Sequence, residues 1–358
     1  MRRGSPYQTS FGFDEMHTHI GSSVSADDYG RWLRDRGGDD RRSTGLGAQP
    51  TDARPWHREE SEHPSNWTTK RALEFLERRD PDRPFFLTVS YVRPHAPLDP
   101  PRAYWDQYIV LDLPDPVMGN WVDRLHADQR HVSRFVREEP TRRADRMRAA
   151  YYALITHIDH QLNRILEGLQ WEHEVRGETV IVFTAVHGEM LGDHRHWAKQ
   201  ALYEGAARVP MLVDLPEGVG PDQAVGPIDR PVGLEDVTPT MLELAGAEVP
   251  DTVEGQSLLD VIADPNASAH RSFYHGETGS QPASHFLAGE DTKKIWFSEQ
   301  GEALLFDVAA DPLETTDLSR DPAQRATIER YRPALADRLA DRPEGFVRDA
   351  RLTPLAAE

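Results

Sequence analysis

The chain has 358 residues, a formal net charge of −19 and no cysteine. The length is sufficient for one large or two smaller hydrophobic cores. The negative charge argues against nucleic acid as a partner because it repels phosphates, and the lack of cysteine excludes disulfides, thiolate metal sites and a cysteine nucleophile.

No apolar run approaches the roughly 18–20 residues that span a bilayer, so we expect no membrane partner. The start, Met1–Pro6, has basic residues but no apolar stretch after them. A secretory signal needs that stretch, so the sequence as written predicts a cytoplasmic location.

The first predicted elements are short. Residues 1–65 are rich in Gly, Asp, Arg and Pro, and we expect loops there apart from a short amphipathic segment at Tyr29–Leu33. A helix is predicted from Trp67 to Arg79, with a cap near Ser65 or Asn66. The apolar run Phe85–Val92 then predicts a buried strand.

The clearest helical pattern covers residues 143–169. Its apolar side chains recur at steps of three and four and form one stripe: Met147, Tyr151, Leu154, Ile158, Leu162, Ile165 and Leu169. Buried strands are predicted at Thr179–Thr184 and Val209–Asp214, and a helix at Asp236–Leu244 with Asp236 as its cap. Strands that alternate with helices indicate an α/β fold with a largely parallel sheet.

The pattern changes in the C-terminal part. Two apolar runs, Lys294–Phe297 and Leu304–Val308, flank Gln300–Gly301. They predict a β-hairpin, because apolar runs on either side of a short glycine-containing turn are typical of one. A last helix is predicted near Ala323–Leu339.

A loop motif follows the strand predicted at Thr179–Thr184. Residues 183–194 have the sequence Phe-Thr-Ala-Val-His-Gly-Glu-Met-Leu-Gly-Asp-His, and Trp197-Ala-Lys199 follows. This stretch resembles the metal-binding loop of type I sulfatases, the arylsulfatase-like members of the alkaline phosphatase superfamily. The family has a metal-binding Asp at the position of Val186.

Other segments resemble the family in the same order, and together they cover most of residues 11–320. They are Gly12–Glu15, Arg83–Pro101, Tyr151–Asp159, Tyr203–Pro210, Gly233–Gly246 and Leu305–Glu314. The resemblance implies a sulfatase-like α/β fold, with a central, mostly parallel sheet flanked by helices and a small C-terminal antiparallel subdomain. Residues 1–65 would be a loop-rich remnant of the N-terminal core, 66–250 the α/β core with His95 and the metal loop, and 251–358 the C-terminal subdomain with hairpin and terminal helix.

Three family segments are not found, and one of them is a Gly-Lys-Trp-His-Leu-Gly segment. Family members begin with a strand that ends in paired metal-binding Asp residues, followed by Cys- or Ser-x-Pro-x-Arg, whose first residue becomes formylglycine. Here the early pairs Asp27–Asp28 and Asp39–Asp40 follow no apolar strand, and no such motif occurs. We therefore expect an N-terminally incomplete fold, with apolar faces of Phe85–Val92 and Thr179–Thr184 exposed to solvent.

The resemblance also implies roles for individual side chains. His95 would contact the sulfate or the leaving oxygen, Lys199 would contact the sulfate as a compact cation, and His187 would be a metal ligand or its neighbour. Val186 offers no lone pair, so the Ca²⁺ (or Mg²⁺) of the family would lose an anionic ligand and metal binding is predicted to be impaired. We expect structural roles for the nearby side chains Glu189, Asp193 and His194.

The family activity is hydrolysis of a sulfate monoester, with a sulfate-ester small molecule or a sulfated glycan as substrate. With Val186 in the loop and no nucleophile motif, this chain is expected to be inactive. One alternative is a phosphate or phosphonate monoester hydrolase of the same superfamily, which could use a Ser or Thr nucleophile. Another is a non-catalytic anion- or partner-binding pseudoenzyme that keeps His95 and Lys199. The sequence leaves the oligomeric state open.

Overall fold

The computed structural model describes residues 10–20, 27–37, 46, 52–129, 141–220, 226–265, 271–278 and 283–355. Within these ranges no helix combines the length and the apolar character that a membrane span requires. The Asp39–Asp40 pair lies outside the described residues.

The chain divides into two compact units. One comprises Met1–Asp115 with Glu139–Glu178, and the other Pro116–Glu138 with Thr179–Glu358. The boundaries expected after residues 65 and 250 are not the points where these units divide, and as domain limits they stay a prediction.

In the described ranges the helices are α1 (Asp28–Arg34), α2 (Pro64–Arg78), α3 (Arg102–Tyr108), α4 (Val122–Gln129), α5 (Thr141–Glu167), α6 (Glu204–Ala207), α7 (Val237–Leu244), α8 (Leu259–Ala263) and α9 (Arg325–Leu339). The strands are β1 (Ile181–Thr184), β2 (Met211–Asp214), β3 (Tyr274–Glu277), β4 (Ser284–Ala288), β5 (Thr292–Phe297), β6 (Ala303–Asp307), β7 (Val347–Arg348) and β8 (Arg351–Leu352).

The first unit is built around α5, which packs against α2 and α3. The predicted apolar stripe is confirmed, since Met147 and Leu154 are fully buried and Ile158 is nearly so. Helix α2 begins earlier than predicted. The ring of His63, rather than Ser65 or Asn66, accepts the capping hydrogen bond, and Pro64 occupies the first turn, where its missing N–H costs nothing.

The segment Phe85–Val92 forms no regular strand and pairs with no other strand within the described ranges. Its side chains alternate between half-buried and exposed, with Phe86 59% exposed, so the predicted burial is wrong. A strand becomes buried only where neighbouring strands and covering helices complete the layer. The exposed residues of the segment are Phe86, Thr88 and Ser90, so the expected exposure of an apolar face is limited here to Phe86.

Strands β1 and β2 confirm two predicted strands, but the predicted burial is wrong, since their residues are half-buried or exposed. The two strands pair antiparallel, with Thr184 opposite Met211. Among the described residues, parallel pairing is limited to the bridge between Ala53 and Leu98. The strands described here pair antiparallel, whereas the sequence predicted a largely parallel sheet. The loop after β1 brings the chain back to the C-terminal end of β1, so β2 begins there and runs in the opposite direction. Leu212 is 57% exposed on the outer face of this pair.

The predicted C-terminal hairpin is confirmed as β5–β6, and it forms part of a four-stranded antiparallel sheet in the order β3-β4-β5-β6. One apolar cluster joins this sheet to α9 and the chain end; it includes Leu287, Trp296, Tyr331, Leu335, Leu339 and Phe346. A second cluster joins the sheet to the loop after β1; it includes Trp121, Met190, Tyr203, Ile295, Leu304 and Phe306. The sheet therefore anchors that loop.

Candidate functional site

The loop after β1 is closed by its own backbone. The Gly188 N–H donates to the Ala206 carbonyl at 2.8 Å, and the Met190 N–H donates to the Ala198 carbonyl at 3.1 Å. A Cβ on Gly188 would lie 2.2 Å from the backbone oxygen of Gly205, so only glycine fits there. This closure holds the segments on which His187 and Lys199 lie.

The Glu189 carboxylate completes the closure. Its Oε1 accepts hydrogen bonds from the N–H of Ala198 and, at 3.4 Å, from that of Leu191. Burial raises the pKa of Glu189 to about 7, although these hydrogen bonds and the charge of Lys199 act in the opposite direction. Burial lowers the pKa of Lys199, and Glu189 counteracts that shift. The expected structural role of Glu189 is confirmed.

Asp193 and His194 also hold the loop. Asp193 accepts a hydrogen bond from the N–H of Val117 at 2.9 Å. His194 accepts one from the N–H of Gly119 at 3.1 Å through Nδ1, so its Nε2 carries the proton and donates to the Leu313 carbonyl at 3.1 Å. Both side chains are used for structure, as the sequence predicted.

The metal position offers few ligands. Val186 is 81% exposed and has no donor atom. The half-buried His187 directs Nδ1 to its neighbour's carbonyl, Gly188 O, at 2.8 Å, which leaves Nε2 with the lone pair. In the described part of the chain, no group of three potential metal-ligating side chains includes His187. A hard cation such as Ca²⁺ takes six to eight oxygen ligands, so the described residues around His187 do not fit it.

His95 lies in the first unit, in the turn that follows the segment Phe85–Val92. Its Nδ1 donates to the Ala96 carbonyl at 2.8 Å. The neighbouring Arg93 is buried and forms two hydrogen bonds with Asp99, at 2.7 and 3.0 Å. This ion pair stabilises the turn, and sequence analysis did not anticipate it. The roles predicted for His95, His187 and Lys199 stay predictions.

The second unit has a broad, open concavity of about 2080 Å³. Its lining includes Val186, Leu212, Arg208 and Arg230. Arg208 directly follows α6. It lies in the segment Tyr203–Pro210, whose resemblance to the family could have identified Arg208 as a candidate residue. The same lining contains more acidic than basic side chains, and Arg230 lies 3.5 Å from Glu290, so the charge of this surface does not by itself favour an anionic ester.

The fold defines the class of protein. The chain superimposes on a phosphonate monoester hydrolase, SpPMH from Silicibacter pomeroyi, with a TM-score of 0.71, 25% identity and coverage of 90% of this chain and 71% of that one. This α/β fold, with its C-terminal antiparallel sheet, is that of the alkaline phosphatase and sulfatase superfamily.

The family follows from the sequence comparisons. The sulfatase family model matches residues 3–247, and a model described as N-sulphoglucosamine sulphohydrolase, C-terminal, matches residues 192–341. The chain belongs to the sulfatase family.

Two curated relatives agree with this assignment. An arylsulfatase of Clostridium perfringens is 39% identical over 89% of this chain and 67% of its own length. A choline-sulfatase of Rhizobium meliloti is 32% identical over 70% of this chain and 50% of its own length. The chain thus spans between half and two thirds of these relatives.

Proposed function

We propose that this chain recognises the sulfate group of a sulfate monoester, small molecule or glycan, through Lys199, and that these 358 residues do not hydrolyse the ester. The proposed lack of hydrolysis rests on Val186, whose exposed aliphatic side chain lies at the position of a family metal ligand. Membership of the sulfatase family and the similarity to an arylsulfatase support the choice of ligand.

The chemistry explains why one substitution matters. Cleavage of a sulfate ester adds negative charge to a group that is already anionic, and a divalent cation stabilises that charge. Glu189 does not replace the missing ligand, because its carboxylate closes the loop and its burial favours the protonated form. His187 alone leaves the cation without anionic ligands from this loop.

Turnover tests the inactivity. The purified protein is incubated with an aryl sulfate, with and without added Ca²⁺ or Mg²⁺, next to its Lys199→Ala variant. We expect no hydrolysis above the buffer blank in either protein. Hydrolysis that persists through further purification and falls in the Lys199→Ala variant would refute the proposal.

Binding tests the recognition. Calorimetric titration with sulfate should show binding that weakens roughly 10–100-fold in Lys199→Ala, because a charge-assisted hydrogen bond contributes about 1.5–3 kcal/mol. Lys70→Ala is the matched control, since the Lys70 side chain is 54% exposed and lies 3.9 Å from Glu74. Equal affinity in wild type and Lys199→Ala would exclude Lys199 as the sulfate contact. The predicted sulfate contact of His95 is tested in the same way with His95→Ala.

A second candidate is recognition of phosphate or phosphonate monoesters. It is favoured by one observation, the similarity to the phosphonate monoester hydrolase of Silicibacter pomeroyi across 90% of this chain. Titration with phosphate and with methylphosphonate under identical conditions distinguishes the two. Tighter binding of a phosphonate than of sulfate would favour the second candidate.

A further inference from the structure

Three potential metal ligands lie together on the C-terminal sheet. His275 and Glu277 are two residues apart on β3, so they point to the same face. On β4, His285 is directly opposite Glu277 in the antiparallel register. One ligand atom from each of the three side chains lies within 4.8 Å of the others.

The spacing of these atoms matches a small coordination sphere. His275 Nε2 is 3.3 Å from His285 Nδ1, and His285 Nδ1 is 3.4 Å from Glu277 Oε2. In a tetrahedral zinc site with bonds of about 2.0–2.1 Å, neighbouring ligand atoms are about 3.3–3.4 Å apart. Two of the three separations thus already match those around a bound ion, and the third, between His275 and Glu277, is within 4.8 Å.

We propose that His275, Glu277 and His285 bind a divalent transition metal, with Zn²⁺ as the fitting ion and its fourth position left to water. Two imidazoles and one carboxylate favour zinc over Ca²⁺ and Mg²⁺, which prefer oxygen ligands. The ion would link β3 to β4. The cluster shares no residue with the loop after β1, so this inference is independent of the sulfate proposal.

The surroundings hold the ligands in place. His285 is fully buried and packs edge-on against Phe346, with ring centroids 4.7 Å apart. Arg342 donates to Glu277 at 2.9 Å and also contacts Glu344 at 3.1 Å. Arg342 thus contacts both oxygens of Glu277, Oε1 at 3.2 Å and Oε2 at 2.9 Å, which orients the carboxylate and leaves one lone pair on each oxygen for an ion.

The charges around the cluster are mixed in sign. The charged groups that act on the two rings are Arg338 and Arg342, which are cationic, and Glu277 and Glu344, which are anionic. These charges cancel, so no excess of positive charge opposes the ion.

The test uses the full chain, stripped with a chelator and titrated with Zn²⁺ against a chromophoric competitor. We expect each chain to bind one Zn²⁺ ion tightly, and the affinity to fall at least about tenfold in His275→Ala and in Glu277→Gln. Even the loss of a residue that only hydrogen-bonds to a metal ligand lowers metal affinity by about 10–100-fold. Glu344→Gln is the matched control, since it removes an acidic partner of Arg342 but no ligand, and should bind Zn²⁺ as wild type does.

Co²⁺ provides a second readout, because a tetrahedral site with nitrogen ligands gives visible absorption bands that His275→Ala should abolish. His275 and Glu277 are the decisive variants, since both are partly exposed and their loss leaves the apolar core intact, whereas His285 is fully buried. A wild-type protein that binds no Zn²⁺, or folded variants that bind it as tightly as wild type, would overturn the proposal.

Discussion

Replacing His157 by glutamine should make the stability of this protein less sensitive to acid. His157 lies on α5, and its Nε2 is 2.7 Å from the side-chain oxygen of Asn66. Its ring contacts that of His63, with centroids 4.7 Å apart. Burial lowers the pKa of His157 from 6.5 to about 3, and the nearby positive charges of Arg164 and Arg93 add to this effect. Glu60, at 3.6 Å, does not offset the burial.

The sign follows from proton binding. Below pH 6.5 the unfolded chain protonates this histidine, whereas the folded protein does not until the pH approaches about 3. Acid therefore favours unfolding, and the loss of stability grows as pH falls from 6.5 towards 3. With these two pKa values the contribution at pH 5 is about 2 kcal/mol, and at the acid limit about 5 kcal/mol.

Urea unfolding at pH 7, 6 and 5, followed by tryptophan fluorescence, measures the effect. Between pH 7 and pH 5, the free energy of unfolding of wild type should fall by about 2 kcal/mol more than that of His157→Gln. The glutamine keeps an amide group that can bond to Asn66. Burial lowers the pKa of His63, and the charge of His157 lowers it further, so the substitution also reduces the acid sensitivity that His63 contributes, in the same direction. His57→Gln, at an exposed position, is the control and should behave as wild type. Parallel losses in wild type and His157→Gln would refute the reasoning.

Two further substitutions test the packing. Asp99→Asn leaves the buried Arg93 without its counter-charge and should destabilise the protein by about 3–5 kcal/mol in urea unfolding. The matched change Asp106→Asn, in an exposed pair, should cost no more than about 1 kcal/mol. Leu304→Ala, at a fully buried position on β6, should lower stability by about 2–5 kcal/mol, whereas Leu313→Ala, at 55% exposure, should change it by about 0.5 kcal/mol or less. Equal effects within either pair would contradict the burial of the first residue.

Much of the local structure was predictable because its signals are short-range. The stripe on α5 follows from an apolar period of 3.6 residues, and the strands β1 and β2 and the β5–β6 hairpin follow from short apolar runs. The predicted helix cap Asp236 shows the limit of such signals. Its carboxylate instead binds the N–H groups of Gly233 and Gln256 and the hydroxyl of Tyr274, and two of these partners are about 20 and 38 residues away along the chain.

The sequence by itself determined the family and placed Val186 at the position of a family metal ligand. A side chain without a lone pair cannot be a ligand in any fold. Only the tertiary structure decided that Glu189 is committed to closing that loop, that β2 returns antiparallel to β1, and that His275, Glu277 and His285 converge. The physical reason is that strand register and burial depend on contacts between distant segments, and those contacts leave no periodic signal in the chain.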